Sequence, residues 1–75
     1  MMDRQEEGRP PFGQWLVRQP EGEGFVGELI AAAKKDPHFP RRGDAEAVRK
    51  RLREVQAEGD LFQAVDDAEL DWLSL

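Results

Sequence analysis

Two prolines enclosing a single aromatic residue constrain this chain more than anything else in it. In Asp36-Pro37-His38-Phe39-Pro40, Asp36 is placed to cap a short turn whose first position is Pro37. Pro40 drives Phe39 away from helical φ/ψ and closes that turn. Phe39 is then the one apolar group in the stretch able to anchor it. The segment reads as a rigid elbow between two amphipathic stretches, and the rest of the chain divides around it.

Upstream, Pro10-Pro11 suits a helix start, because the fixed φ and missing N–H of proline are harmless in a first turn. Phe12, Trp15 and Leu16 follow at i, i+3 and i+4 and so share a core-facing side. Pro20-Glu21-Gly22-Glu23-Gly24 interrupts the pattern. A second helix is expected from about Phe25 to Lys35, with Val26, Leu29, Ile30 and Ala33 on its apolar stripe and Lys34 and Lys35 at the end where the helix dipole favours cations.

Downstream of the elbow, Asp44 is the expected N-cap of a third long helix carrying Ala45, Val48, Leu52 and Val55 on one stripe. Glu46 and Lys50 stand at the favourable i, i+4 spacing. Gly59 suits the left-handed position that ends this helix, and Asp60 with Gln63 has the spacing of a capping box for the last one. Leu61, Phe62, Val65, Ala68, Trp72 and Leu73 mark that helix's buried face; Leu70 falls off it. No stretch alternates with period two, so no sheet is expected. The fold class read from the sequence is all-α: a compact bundle of four helices plus the short turn at the Asp36–Pro40 elbow. Residues 1–9 lack apolar periodicity and read as a disordered leader, leaving 10–75 as one domain.

With those residues in place, the chain resembles the YozE-like family of sterile alpha motif-like (SAM-like) domains, small bacterial proteins of uncharacterised function. The resemblance rests on Phe12-x-x-Trp15-Leu16, Val26-Gly27-Glu28-Leu29, Asp36-Pro37-His38-Phe39-Pro40 and a closing helix that ends near Trp72. It spans roughly residues 12–72 and implies a SAM-like helical fold, without implying an activity. SAM-like domains as a class are known for protein association, so the resemblance also implies an interaction role.

Composition narrows the function. The 75 residues contain no cysteine, which removes disulfides and thiolate metal sites and fits a reducing cytoplasm. The longest apolar run, Leu29 to Ala33, is far short of the ~20 residues of a transmembrane helix, and Met1 to Glu7 lacks the order of a signal peptide. A cytoplasmic protein without membrane association is the expectation. Gly22-x-Gly24-x-x-Gly27 matches the dinucleotide fingerprint, but no strand precedes it, and Glu21 and Glu23 would repel a pyrophosphate. No cofactor is therefore expected. His38 is the only histidine, Ser74 the only serine, and threonine and tyrosine are absent, so neither a metal set nor a nucleophile with its base can be assembled. The chain reads as a non-enzyme with no small-molecule substrate evident.

The net charge of −5 hides a polarised distribution. From Lys34 to Arg53 eight basic residues stand against Asp36, Asp44 and Glu46, a local balance of +5, whereas 60–75 holds five acids and no Lys or Arg. The candidate interaction residues are Arg41, Arg42, Arg49, Lys50 and Arg53 on the basic side, and Asp66, Asp67 and Asp71 on the acidic side. The expected function is a protein–protein interaction module, with a protein partner or self-association through these complementary surfaces; a head-to-tail contact of this kind would propagate rather than close. The same two surfaces could instead meet inside one molecule and cancel. The alternative function is nucleic-acid binding, in a regulatory role, through the basic patch on the third long helix.

Overall fold

The computed structural model describes residues 9–75. It contains four helices, α1 (Phe12–Arg18), α2 (Gly24–Lys35), α3 (Ala45–Glu54) and α4 (Gly59–Leu73), and no strand among the described residues. The all-α bundle read from the sequence is the observed architecture. The expected leader lies outside the described residues except for Arg9, which is half-buried against α4.

The apolar stripes meet in one core. Phe12 and Leu16 of α1, Leu29, Ile30 and Ala33 of α2, Phe39 of the elbow, Ala45, Val48 and Leu52 of α3, and Ala64, Val65 and Ala68 of α4 are all buried. Trp15, Val26, Leu61, Phe62 and Trp72 pack around that cluster, partly covered. Small residues on α4 let α2 approach closely, and α2 against α4 is the most extensive helix pairing. Phe12 joins the two ends of the chain: its ring lies 5.8 Å from that of Trp72 in an edge-to-face arrangement at 84°, a geometry that places a positive ring edge on a negative face.

The elbow consists of two successive turns. Phe39 N–H donates to the Asp36 carbonyl at 3.2 Å, and His38 N–H donates to the Asp36 carboxylate at 2.9 Å, so Asp36 caps the first turn with Pro37 at its leading corner. Gly43 N–H donates to the Pro40 carbonyl at 3.0 Å and closes the second. Between them Phe39 enters the core and is 7% exposed. The loop then lies directly on α1: Gly13 N–H donates to the Gly43 carbonyl at 3.0 Å, and a Cβ at Gly13 would collide with the Pro40 carbonyl oxygen. Glycine at 13 is what this backbone-to-backbone approach requires.

Several boundaries differ from the sequence expectation, each for a local reason. Pro11 takes the N-cap position and its carbonyl accepts from Trp15 N–H at 3.0 Å, so both prolines precede the first turn of α1 rather than occupying it. Gly27 lies close against the Gly22 backbone of the loop that precedes α2. Asp44 caps α3 as expected, accepting from Ala47 N–H at 2.9 Å. At the other end α3 stops earlier than Gly59 would allow. Gln56 carries the left-handed conformation (φ 57°). Its N–H donates to the Arg53 carbonyl at 3.1 Å, while Ala57 N–H donates to the Leu52 carbonyl at 2.9 Å. This pair of bonds is a Schellman motif with a non-glycine residue at its left-handed position. Val55, past the end of α3, is consequently 49% exposed instead of buried.

The capping box expected at Asp60 and Gln63 is absent. α4 begins two residues earlier, at Gly59 behind Glu58 as N-cap, with no side-chain cap, and Gln63 turns to Asp67 at 3.4 Å. At the far end Leu73 is exposed rather than buried, because Trp72 takes the inward position.

Two substitutions check this account. Phe39→Ala leaves a large void beneath the elbow and is expected to lower stability by ~3–5 kcal/mol in chemical denaturation; a change below about 1 kcal/mol would show that the elbow is not anchored by this ring. Gln56→Gly relieves a left-handed side chain at the cost of greater freedom in the unfolded state, and the expected net gain is about 0.5–1 kcal/mol. Loss of stability in that variant would contradict the Schellman ending of α3.

Candidate functional site

Consecutive residues of a helix are rotated about 100° from one another, so the basic run of α3 is spread around its axis rather than gathered on one face. Arg49 projects toward α4, where its guanidinium donates to Asp66 at 2.7 Å and Glu69 at 2.9 Å, with Glu46 on its own helix at 3.2 Å. Hydrogen bonding to Asp66, then to Glu69, raises the Arg49 pKa above its ordinary value. Glu46 therefore pairs with Arg49 at i+3, in place of the Lys50 pairing expected from spacing.

Arg51 projects the other way, toward the elbow. Its Nε and Nη2 donate to the two oxygens of Asp36 at 2.7 and 2.8 Å, a bidentate fork, and Nη1 reaches Glu54 at 3.3 Å. The Arg51 hydrogen bonds hold the Asp36 carboxyl below its usual pKa, opposed by partial burial and helped by His38 N–H. Arg49 and Asp66, which the sequence offered as opposite halves of an intermolecular contact, thus meet inside one molecule. Lys50 and Arg53 remain exposed, with no ion pair among the described residues. Asp67 and Asp71 are exposed on the outer side of α4.

A different basic site forms at the elbow. Arg41 and Arg42 occupy the two central positions of the Pro40–Gly43 turn, which directs both side chains outward. The Gly13 contact sets this turn against α1, and Arg18 in the last turn of α1 completes a groove of about 480 Å³ shared with Gln14 and Val17. None of these three guanidiniums has an ion-pair partner among the described residues, and no acidic residue lines the groove. Arg18 was invisible to a reading by charge runs, being an isolated residue of another helix. Gly13, a glycine in the first turn of α1 between the apolar Phe12 and Trp15, was the signal that a backbone passes close by.

Beside the groove lies a second concavity, of about 400 Å³, floored by Pro10, Pro11, Phe12 and Trp72 and edged by Arg9, Arg42, Asp44 and Leu73. Arg42 lines both. The Trp72 indole N–H donates to the Pro10 carbonyl at 2.7 Å. Arg9 stacks over the Trp72 ring, 4.9 Å from its centroid, and donates to the Leu73 carbonyl at 3.2 Å. Arg9 Nε is buried and finds no acceptor among the described residues.

Chemically, the groove offers fifteen N–H donors in three planar forks and concentrated positive charge. It contains no side chain that titrates near neutrality and no nucleophile. Among the described residues no group of three His, Cys, Asp or Glu side chains is arranged to hold a metal ion, and no helix is long and apolar enough to cross a membrane. No protein-family model, curated protein or solved structure matches the chain.

The Asp36–Arg51 fork gives a test by pH. A carboxyl whose folded pKa lies below its unfolded value stabilises the fold fully above the unfolded value, about 3.9, and the contribution is lost as pH falls through the folded pKa. Asp36→Asn keeps an acceptor for His38 N–H and removes the charge together with one of the two oxygens that the Arg51 fork engages. The stability advantage of the unsubstituted chain over Asp36→Asn is therefore expected to be constant above about pH 5 and to shrink below about pH 4. A difference unchanged down to about pH 2 would show that the fork does not carry it.

Proposed function

We propose that this chain is a non-enzymatic interaction module that binds an acidic protein surface through the groove formed by Arg18, Arg41 and Arg42. One observation carries the reading: three guanidiniums from two elements converge on one groove without internal partners, while Arg49 and Arg51 are neutralised within the molecule. Arginine is the cation suited to such a surface, because its planar fork engages carboxylates in pairs and sheds water readily. The exposed carboxylates Asp67 and Asp71 on α4 are the complementary surface of the same molecule. The resemblance to SAM-like domains of the YozE-like type supports an association role, and a cysteine-free chain suits the cytoplasm.

A nucleic-acid function would rely on the α3 patch. Internal pairing of Arg49 and Arg51 reduces that patch to Lys50 and Arg53, too few cations to track a phosphate backbone. The protein reading is therefore the better supported.

Titration with a poly-glutamate peptide at low ionic strength, followed by NMR amide shifts, tests it. Binding should weaken with added salt, perturb residues around the groove, and fall at least ~10-fold in Arg41→Glu/Arg42→Glu, with Lys50→Glu/Arg53→Glu binding as the unsubstituted chain. Absence of binding, or binding that depends on Lys50 and Arg53, would refute the proposal; salt-sensitive binding of duplex DNA that depends on the latter pair would favour the nucleic-acid function instead.

A further inference from the structure

We infer that the acidic partner is a peptide segment with a large apolar residue beside its carboxylates, the acids seated in the arginine groove and the apolar side chain in the cleft floored by Pro10, Pro11 and Trp72. This inference rests on the interaction role proposed above and names the chemistry of the partner. Charge alone selects no partner, since any acidic surface can meet the three guanidiniums of the groove. The neighbouring cleft adds a second requirement.

The cleft floor is apolar, reachable from solvent, and fixed before any ligand arrives. Pro11 is exposed, and Pro10 and Trp72 are half-buried. Proline restricts φ at both positions, the Trp72 indole N–H is committed to the Pro10 carbonyl at 2.7 Å, and the Trp72 ring is in edge-to-face contact with the fully buried Phe12. A preformed apolar concavity pays little ordering entropy when a side chain enters it, and about 400 Å³ has room for one large side chain. The charged groups on its edge separate its occupant from that of the groove. Arg9 is turned to its own chain, over the Trp72 ring and onto the Leu73 carbonyl. Asp44 accepts from Ala47 N–H with one oxygen, and its negative charge turns further carboxylates away. The cleft therefore favours an uncharged side chain, whereas no acidic residue lines the groove. Arg42 lines both, so an extended peptide crossing that side chain reaches the two concavities with residues near one another in its sequence.

Calorimetric titration of the full chain at low salt with capped hexaglutamate peptides tests the inference, one residue, at each position in turn, being replaced by alanine or by phenylalanine. At the best position the phenylalanine peptide is expected to bind roughly tenfold tighter or more than its alanine counterpart, with nuclear Overhauser contacts from its ring to Pro10, Pro11 and Trp72. Added salt should weaken both peptides and preserve their ratio, because only the carboxylates are screened. Leu73→Ser trims an exposed edge of the cleft and should shrink that ratio at an unchanged melting temperature. Equal affinities at every position, with both peptides bound, overturn the apolar anchor and leave the groove's role standing. An advantage that Leu73→Ser leaves intact, with ring contacts outside the cleft, overturns the seat assigned to the anchor. Failure of all the peptides to bind removes the inference together with the reading beneath it.

Discussion

The approach of the elbow backbone to α1 is the contact on which the other parts depend. At Gly13 two main chains come close enough that one N–H···O bond joins the first helix to the residue before the α3 cap. That bond fixes where Asp44 can begin α3, and so the rotation of α3 about its axis. Rotation in turn decides that Val48 and Leu52 face the core, that Arg49 reaches α4 and that Arg51 reaches Asp36. Phe39 holds the same loop from beneath by burial, and the Asp36–Arg51 fork holds it from the side. Three different kinds of force thus converge on eight residues, 36–43, which a small core of this length needs because it hides only about 60% of the surface of the unfolded chain.

Most of the fold was legible because its signals are local. The i, i+3, i+4 spacings that place Phe12, Leu16, Leu29, Ile30, Val48, Leu52, Val65 and Ala68 inward are properties of single helices, and Asp36 and Asp44 cap turns within three residues of themselves. The misreadings sit at helix ends, where two local solutions compete. Gly59 looked like the natural left-handed residue, yet the chain turns at Gln56, since that position lets Ala57 satisfy the Leu52 carbonyl and bury its own methyl. Nothing in the side chain of glutamine announces this, and the exposure of Val55 follows from it. Leu73 was misplaced for a similar reason: the neighbouring Trp72 has a donor that the Pro10 carbonyl accepts, and only one of the two can face inward.

The candidate site was less legible, because charge runs count residues along the chain and ion pairs form across space. Arg49 and Asp66 are 17 positions apart, and only the packing of α3 on α4 shows that they satisfy each other. Asp36 and Arg51 are 15 apart and close the loop between α2 and α3. Sequence complementarity of sign therefore had two meanings, internal and external, and the helix rotation divides them. Arg49 and Asp66 go to the first. Arg41, Arg42, Lys50, Arg53, Asp67 and Asp71 keep no ion pair among the described residues, and neither does Arg18, which no sequence pattern linked to them.

That remainder is not explained by a shortage of acids. The chain carries 16 acidic residues against 11 Lys and Arg, so a fold selected only for its own stability could have offered a carboxylate to each arginine. The Pro40–Gly43 turn instead presents Arg41 and Arg42 side by side, and Gly13 brings Arg18 to meet them, a grouping of like charges that costs the isolated molecule electrostatic free energy. An anionic surface seated in the groove would relieve that repulsion and gain paired hydrogen bonds at once.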